Sequence, residues 1–336
     1  MTLTTTTMTS WTQDRYGPAS DIALVERDVP TPGRGEVLLK VHATALNAGD
    51  VRIMLGDPLL ARPVFGLTHP RNPVRGMDIA GTVVALGDGV SDAGIGDEVV
   101  VELPGGGGLA PFAVAPAKRL AARPDGVAAA VAASLPIAGG TAWQALDRAR
   151  VGEGHRLEGQ RVLVLGASGG VGTFAVQLAG LRGAEVHATA AAHNVTLIER
   201  LGATRVFERN IDLATLPADG YDAVIDIVGG TPLRTLRRLI RPGGTVVLVA
   251  GGGGHVLGPV PRMLRGALLS IGSSRRIRAL AASADPRILG QLLQLAAQGA
   301  ITPAIEREYA FKDAAGALAH VESGHAAGKV VVRAAS

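Results

Sequence analysis

The segment of residues 161–172 constrains the fold of this chain more than any other stretch. It reads Arg-Val-Leu-Val-Leu-Gly-Ala-Ser-Gly-Gly-Val-Gly, and an apolar helical pattern with Phe174, Leu178 and Leu181 follows it. Apolar β-formers that break into small residues and then resume with helical spacing predict a strand, a tight glycine turn and a helix that begins in the turn. A second strand predicted at residues 185–189 completes a strand–helix–strand unit.

A turn of this kind is suited to bind a diphosphate group. Glycines let the backbone turn sharply and leave room for a phosphate to approach. The first N–H groups of the helix and the positive end of its dipole attract negative charge. We therefore predict that the diphosphate of a dinucleotide binds here, whereas the alternative is a glycine-rich loop without a ligand. The candidate residues of the turn are Ala167, Ser168, Gly169, Gly170, Val171 and Gly172.

Length and composition limit the remaining possibilities. A chain of 336 residues is longer than a usual single domain, so two domains are expected. The chain contains no cysteine, which excludes disulfides, thiol nucleophiles and cysteine-bound metals. No run of apolar residues is long enough to predict a membrane span. The first ten residues lack a basic start and an apolar core, which predicts no secretory signal and a cytoplasmic location.

The charge pattern does not favour a nucleic-acid partner. The net charge is only +4. The densest basic run, residues 262–278, is interrupted by leucine and isoleucine and contains no aromatic residue. Nucleic-acid surfaces usually combine a basic face with a recognisable motif. We interpret this run as a solvated rim.

Strand and helix patterns divide the chain into two domains. The first third predicts short strands at residues 22–26, 36–43, 80–86, 98–102 and 112–115. Further on, strands predicted at residues 162–165, 186–189, 206–207, 223–227, 245–249 and 269–272 alternate with helices predicted at 171–180, 195–201, 233–239 and 261–266. Such alternation is typical of a doubly wound parallel sheet, that is, a Rossmann α/β fold. A last strand, residues 329–333, is predicted to rejoin the first domain. The predicted domains are residues 136–282 for the nucleotide fold, and residues 1–135 with 283–336 for the β-rich domain.

Several ordered motifs carry a resemblance to a known family. They are LNAGD at 46–50, GMDIAG at 76–81, GDEV at 96–99, LPIAGGTA at 135–142 and GHAAGKVV at 324–331, together with the glycine turn. With these motifs the chain resembles the medium-chain dehydrogenase/reductase superfamily, and within it the zinc-free, quinone-oxidoreductase-like branch. The resemblance covers nearly all of the chain. It implies a Rossmann domain beside a GroES-like catalytic domain and an NAD(P)H-dependent reductase activity.

The resemblance also bears on metal binding. Zinc-dependent relatives have a cysteine where Asn47 stands and a His-Glu pair where Met77 and Asp78 stand. Here the thiolate is absent, methionine is a poor zinc ligand, and one carboxylate cannot form a three-ligand site. His42 and His69 lie nearby without supporting spacing. We therefore expect no zinc, and hydride donation to a conjugated acceptor rather than oxidation of a simple alcohol.

The end of the second strand of the nucleotide fold predicts which cofactor binds. An NAD-preferring fold places an acidic residue about 20 residues beyond the glycine turn. Residues 189–194 here read Thr-Ala-Ala-Ala-His-Asn and contain no carboxylate, which favours NADPH over NADH. The resemblance implies a serine and an arginine where Ala191 and His193 stand, so hydrogen bonding to the 2′-phosphate is weakened. His193, Asn194 and, after the third strand, Arg209 are the candidate contacts, with a solvated surface residue as the alternative for each.

The resemblance further implies the residues around the nicotinamide and the substrate. They are Thr141 and the turn Val249, Ala250 and Gly251 near the nicotinamide, Asn47 and Asp50 in the substrate cleft, and Lys329 near the cofactor. Lys329 would contact the diphosphate or ribose, or else cap a helix against the sheet. Arg52 would stabilise an enolate-like oxygen if it faces the cleft, and would otherwise point outward. Tyr16, Tyr221 and Tyr309 lie outside these motifs, so we expect water to supply the proton.

Together these observations predict a zinc-independent, NADPH-dependent oxidoreductase. Its acceptor would be a small quinone, enone or alkenal, and a homodimer is expected from the edge predicted at residues 269–273. Two alternatives stay open. One is a reductase-like protein that binds NADPH as a sensor or scaffold without meaningful turnover. The other is an enoyl or ketone reductase that tailors a bulky secondary metabolite.

Overall fold

The computed structural model describes residues 6–152, 159–249 and 253–334. Its β-strands within these residues are β1 (Thr7–Thr12), β2 (Ala23–Asp28), β3 (Glu36–Leu46), β4 (Asp78–Leu86), β5 (Glu98–Glu102), β6 (Phe112–Pro116), β7 (Ala121–Ala122), β8 (Arg161–Leu165), β9 (Glu185–Ala190), β10 (Arg205–Glu208), β11 (Tyr221–Asp226), β12 (Ile240–Leu248), β13 (Arg276–Ala279), β14 (Ile305–Tyr309) and β15 (Lys329–Arg333).

The α-helices of the same residues are α1 (Ala48–Leu55), α2 (Arg62–Phe65), α3 (Ala129–Ala133), α4 (Pro136–Ala149), α5 (Gly170–Leu181), α6 (Val195–Arg200), α7 (Leu233–Leu239), α8 (Val260–Ser270), α9 (Pro286–Ala297) and α10 (Ala314–Glu322). Short 3₁₀ helices occur at Ala19–Asp21, Leu59–Ala61, Ala117–Arg119, Ala192–Asn194, Leu213–Thr215 and Phe311–Asp313.

The chain divides into two compact units. The terminal unit comprises Met1–Ala138 and Ala284–Ser336, and the central unit comprises Gly139–Ser283. Each unit contains its own large sheet and its own clusters of buried apolar side chains.

The terminal unit is built on a seven-stranded, mainly antiparallel sheet. Its strand order is β14-β15-β3-β4-β5-β7, with β6 paired to β3, and β1 and β2 form a separate two-stranded sheet. The long strand β3 is central because it pairs with β4, β6 and β15. The pairing of β15 with β3 confirms that the last strand returns to the β-rich part of the chain.

The central unit contains a six-stranded sheet in the order β10-β9-β8-β11-β12-β13. Every neighbouring pair in it is parallel. Residues Val162 to Val164 of β8 and all of β11 are buried, as expected for strands with helices on both faces of the sheet. This confirms the predicted α/β fold with a doubly wound parallel sheet.

One predicted strand is wrong. Residues 269–272 were expected to form the edge strand, but α8 continues to Ser270 and the edge strand β13 begins at Arg276. A short apolar run such as Leu268, Leu269 and Ile271 cannot by itself distinguish a strand from the end of a helix. The edge strand on the β12 side of the central sheet is therefore β13, with β10 at the opposite edge. The edge proposed for the dimer is accordingly β13.

Among the described residues, no helix is both long enough and apolar enough to cross a membrane.

Candidate functional site

The glycine turn after β8 has the geometry that the sequence predicts. Gly166 has φ of +86°, and a Cβ at this position would lie 2.4 Å from the Cγ2 atom of Val228. A Cβ at Gly172 would lie 2.3 Å from the carbonyl oxygen of Gly166. Both distances are far below normal contact. Glycine at 166 therefore lets the turn pack against Val228, and glycine at 172 lets α5 pack against the turn.

The turn presents the start of α5. The helix begins at Gly170 with Gly169 as its N-cap residue, and the Thr173 N–H donates to the Gly169 carbonyl at 3.0 Å. The N–H groups of the first turn of a helix have no partner within the helix, and helix ends of this kind attract anions. Of the predicted contacts, Ser168, Gly169, Gly170 and Val171 are half-buried, while Ala167 and Gly172 are buried.

The strand β9 fixes this turn from the side. Thr189 accepts a hydrogen bond from the Ala167 N–H through its carbonyl oxygen, at 3.0 Å, and from the Gly166 N–H through its hydroxyl oxygen, at 3.1 Å. The end of β9 and the turn are therefore one hydrogen-bonded structure. Just beyond it, in the 3₁₀ helix Ala192–Asn194, His193 is exposed and Asn194 is buried.

Arg209 reaches the same edge of the sheet as residues 190–194. In the parallel pairing of β10 with β9, Glu208 lies opposite Ala190, and Arg209 follows directly at the carboxyl end of β10. Both Glu208 and Arg209 are exposed. The register thus places one positive and one negative residue beside the end of β9, and the sequence reasoning considered only the positive one.

The predicted nicotinamide contacts lie in different elements of the central unit. Thr141 is half-buried within α4, and Val249 is half-buried at the end of β12, where its N–H donates to the Asp226 carbonyl at 3.0 Å. Ala250 and Gly251 lie outside the described residues. The roles of all four at the nicotinamide stay predictions.

The terminal unit contains a cluster of buried polar residues that we call the polar cluster: Asn47, Asp50, Arg75, Asp78 and Lys329. The ammonium of Lys329 donates to the side-chain oxygen of Asn47 at 2.5 Å and to the carbonyl oxygen of Leu46 at 3.3 Å. It also lies 3.6 Å from a carboxylate oxygen of Asp78. The ammonium is thus buried and held by oxygen atoms of its own unit, and its contact with the cofactor stays a prediction.

The side chain of Asn47 is engaged at both ends of its amide. Its oxygen accepts from Lys329, and its nitrogen donates to the Asp78 carboxylate at 2.9 Å. Asp50 is likewise fully used, since its two oxygens accept from the backbone N–H groups of Asn47 and Gly76, each at 2.9 Å. The structure therefore gives Asn47 and Asp50 a structural role at the start of α1. Direct contact of either one with substrate stays a prediction.

Burial changes the acidity of this cluster. Desolvation raises the pKa of Asp78 to about 7, although the Lys329 ammonium and the Asn47 amide act in the opposite direction. Desolvation also lowers the pKa of Lys329, which the Asp78 carboxylate partly offsets. Burial raises the pKa of Asp50. Such displaced values mark Asp78 and Lys329 as a pair whose charges depend on each other.

Sequence reasoning did not assign Arg75 and Asp78 to the site. Arg75 is only 1% exposed, and burial lowers its pKa to about 10 despite the nearby Asp50 carboxylate. One guanidinium nitrogen donates to the carbonyl oxygen of Asn72. Asp78 is the first residue of strand β4, and Arg75 lies three positions before it. Charged residues at the start of a largely buried strand could have indicated a buried ionic cluster.

The remaining predicted groups are placed as follows. Arg52 lies half-buried on α1. The three tyrosines make other contacts: Tyr16 donates to the Gly66 carbonyl oxygen, Tyr221 contacts His187, and Tyr309 contacts His320. The expected proton transfer from water stays a prediction.

The residues of the terminal unit do not fit a zinc ion. Within the described parts of the chain, no group of three or more histidine, aspartate or glutamate side chains could hold a metal. Asp78 already has a cation, the Lys329 ammonium, at 3.6 Å and accepts a hydrogen bond from Asn47. His42 contacts Thr82, and His69 contacts Thr68. We derive no chemical step through a metal.

Comparison with known proteins gives two family matches along the chain. Residues 33–125 match the alcohol dehydrogenase GroES-like domain, and residues 201–332 match the family described as zinc-binding dehydrogenase. The side chains of Asp78, His42 and His69, as described above, do not form the zinc site that the description of the second family implies.

Individual relatives cover almost the whole chain. The chain is 36% identical over 326 residues to a chloroplast envelope quinone oxidoreductase homolog of Arabidopsis thaliana, which spans 94% of this chain and 95% of that protein. It is 30% identical to a mitochondrial NAD(P)H oxidoreductase of Mus musculus, over 97% of this chain and 89% of that protein.

Solved structures agree with these matches. The quinone oxidoreductase from Coxiella burnetii superimposes with a TM-score of 0.85 at 28% identity and covers 97% of this chain and 99% of its own. The combination of GroES-like sheet, parallel nucleotide sheet and full-length similarity shows that this chain is an enzyme of the medium-chain dehydrogenase/reductase superfamily, in its quinone-oxidoreductase-like branch.

Proposed function

We propose that this protein is a zinc-independent, NADPH-dependent oxidoreductase that transfers hydride to a conjugated acceptor such as a quinone, an enone or an alkenal. The observation that carries the proposal is the close packing of α5 on the turn after β8. The start of α5 presents backbone N–H groups and no side-chain heavy atom at Gly169, Gly170 and Gly172, where a diphosphate would lie.

The chain supplies binding and orientation. The turn and the start of α5 would hold the diphosphate, and Thr141 with Val249 would hold the nicotinamide end. A reduced nicotinamide bound there would supply the hydride. The residues of the site would fix its ring and keep water out, and such positioning can supply much of the rate of a hydride transfer.

Two features support NADPH over NADH. The segment 189–194 at the end of β9 contains no carboxylate that would repel a 2′-phosphate. The parallel register also brings the exposed Arg209 to the same edge, where its guanidinium could pair with the phosphate. Glu208 beside it acts against this preference, so the balance between the two side chains decides the strength of the selection.

The proposed class of acceptor rests on the lack of a fitting zinc site among the described residues and on the names of the relatives. Residues that do not fit zinc cannot polarise a simple alcohol through that metal. A quinone or enone needs less assistance, because its conjugation moves the developing charge onto a carbonyl oxygen. The names of the relatives from Arabidopsis thaliana and Coxiella burnetii are those of quinone oxidoreductases, which agrees with this class.

A titration of the protein with NADPH, followed by nicotinamide fluorescence, tests the cofactor site. We expect Gly170→Asp to abolish binding, because its carboxylate would stand against the diphosphate. Asp125→Asn, at an exposed position of the terminal unit, is the control and should leave the affinity unchanged. Unchanged affinity in Gly170→Asp would contradict the assignment of the turn.

Turnover is tested separately. Oxidation of NADPH would be followed with quinones, enones and alkenals as acceptors, and zinc would be measured in the purified protein. Reduction without stoichiometric zinc is expected. Tight NADPH binding without reduction of any acceptor would instead support the sensor or scaffold alternative, and activity that requires zinc would overturn the proposal.

We also propose a homodimer formed through the free edge of β13, because a strand paired on one side only offers unpaired backbone groups. Light scattering of the purified protein tests this. The cytoplasmic location stays a prediction, and the named relatives from plant and mouse belong to chloroplasts and mitochondria.

A further inference from the structure

A groove on the central unit lies between α7, α8 and the segment that precedes α8. Its volume is about 620 Å³, which is within the range of small-molecule sites. Its lining contains three arginines, Arg234, Arg262 and Arg265, and three leucines, Leu233, Leu268 and Leu269. The other lining residues are prolines and glycines, so none carries a carboxylate.

Arg262 is held in place from behind the groove. One of its terminal nitrogens donates to the Asp226 carboxylate at 2.8 Å, and this carboxylate is completely buried. The second oxygen of Asp226 accepts from the Gly229 N–H at 2.9 Å. The Nε atom of Arg262 is buried and has no hydrogen-bond partner among the described residues. A buried donor without a partner is unfavourable, and a hydrogen-bond acceptor bound beside it would remove that cost.

Arg234 and Arg265 line the same groove with exposed side chains. Within the part of the chain that the structure describes, neither makes a hydrogen bond or an ion pair. Their neighbours differ in this respect. Arg237 donates to Ser273, Arg238 donates to the carbonyl oxygens of residues 213, 214 and 216, and Arg275 pairs with Asp219. Arg234 and Arg265 therefore have guanidinium N–H groups that are available to a ligand in the groove.

The rest of the lining is apolar. Leu233, Leu268 and Leu269, with two prolines, provide a hydrocarbon surface, and Leu268 is 67% exposed. Guanidinium groups bind carboxylates and phosphates through paired hydrogen bonds. A groove with arginines and exposed leucines, and with no acidic lining residue, is complementary to a ligand that has one anionic group and an apolar body.

The position of the groove connects it with the proposed cofactor site. Leu233 and Arg234 follow β11, and Gly253 to Gly258 follow β12, while the glycine turn follows β8. In the sheet these strands are neighbours in the order β8-β11-β12. Ligands of open parallel sheets bind at the carboxyl ends of the strands, so the groove begins at the same edge as the dinucleotide turn.

We infer that the groove lined by Arg234, Arg262 and Arg265 binds the anionic group of the acceptor, so that the enzyme selects conjugated carbonyl compounds that carry a carboxylate or phosphate on an apolar chain. This inference rests on the proposed function for the identity of the ligand as the acceptor. The groove itself is tested without turnover.

The binding experiment uses octanoate, octyl phosphate and 1-octanol, titrated into the full-length protein by calorimetry. We expect the two anions to bind and the alcohol to bind at least about tenfold more weakly, and the stronger of the anions identifies the preferred group. Arg234→Glu with Arg265→Glu should reduce anion affinity at least about tenfold. Arg200→Glu, an exposed arginine on α6, is the matched control and should change nothing. Arg262 is left intact because its loss would leave the buried Asp226 unpaired.

Each of three results would show that the groove does not bind anions: equal binding of 1-octanol and octanoate, an unchanged affinity in the double variant, or an equal loss of affinity in Arg200→Glu.

For turnover, an enone with a terminal carboxylate would be compared with its methyl ester. The double variant should raise KM for the acid at least about tenfold and leave kcat and the ester unchanged. Anion binding without reduction of either enone would reject the proposed function while the groove stands as a binding site.

Discussion

The Lys329 ammonium and the Asn47 amide join the two ends of the chain, since 282 positions separate them and their hydrogen bond is 2.5 Å long. Lys329 begins β15, and Asn47 follows directly after β3, the strand with which β15 pairs. The pairing of the two strands brings the ammonium to Asn47 and to the Asp78 carboxylate. The buried ammonium of Lys329 thus stabilises the terminal unit in addition to the strand pairing of its sheet.

Removal of that cation should destabilise the terminal unit strongly. Lys329→Met leaves the Asp78 carboxylate buried without its charge partner, and breaking a buried ion pair in this way costs about 3–5 kcal/mol. Urea unfolding followed by circular dichroism measures the change. Lys312→Met, at an exposed lysine, is the control and should alter the free energy of unfolding by less than about 0.5 kcal/mol. Equal stability of both variants would contradict the structural role of Lys329.

The stability of the protein should depend on pH through Asp78. Its pKa in the folded state is about 7, above the ordinary value of 3.8, chiefly because of desolvation. Between these values the folded state binds the proton more tightly than the unfolded state, so the contribution of Asp78 to stability falls as pH rises from about 4 to about 7. The lowered pKa of Lys329 has the opposite effect at alkaline pH. Between this lowered pKa and the ordinary value of 10.5, the unfolded state binds the proton more tightly, so the contribution of Lys329 to stability rises with pH.

Asp78→Asn tests this dependence. The free energy of unfolding, plotted against pH, should lose the falling component between about pH 4 and pH 7 in this variant. Asp125→Asn, an exposed carboxylate, should keep the wild-type slope. Identical slopes in wild type and Asp78→Asn would show that Asp78 does not titrate in the folded protein as its burial suggests.

The contact between α5 and the turn predicts opposite effects for two glycines of one helix. Gly172→Ala would place a methyl group 2.3 Å from the Gly166 carbonyl oxygen, which forces the backbone to move. We expect a loss of about 1–3 kcal/mol in stability and much weaker NADPH binding. Gly180→Ala lies in the same helix with nothing within 4 Å of the new methyl group, and should stabilise by up to about 1 kcal/mol. Thermal unfolding and fluorescence titration compare the two, and tolerance of alanine at 172 would argue against the close approach.

The absence of a carboxylate at the end of β9 predicts how cofactor preference can be changed. Ala191→Asp would introduce a negative charge at the position where the 2′-phosphate is proposed to lie. We expect the affinity for NADPH to fall at least about tenfold, and the affinity for NADH to stay equal or to rise, since a carboxylate can accept hydrogen bonds from the ribose hydroxyls. The ratio of the two dissociation constants is the measurement, and an unchanged ratio would place the 2′-phosphate elsewhere.

Local patterns predicted much of the fold. The strand–turn–helix pattern around Gly166 and Gly172 was recoverable because glycine spacing, apolar β-formers and helical periodicity all act over a few residues. The one misplaced element, at residues 269–272, lies where an apolar run was too short for its period to be read. Tertiary packing of α8 on β13 decided it, and no local pattern reports that packing.

The sequence by itself determined the parallel sheet, the glycine turn after β8 and the lack of any thiol ligand, because these follow from residue type and near-neighbour spacing. Only the tertiary structure decided the polar cluster, in which Lys329 and Asn47 meet across almost the whole chain and Asp78 acquires a pKa of about 7. It also decided which arginines remain available in the groove. Burial and charge pairing depend on residues distant in sequence, so they are properties of the folded chain alone.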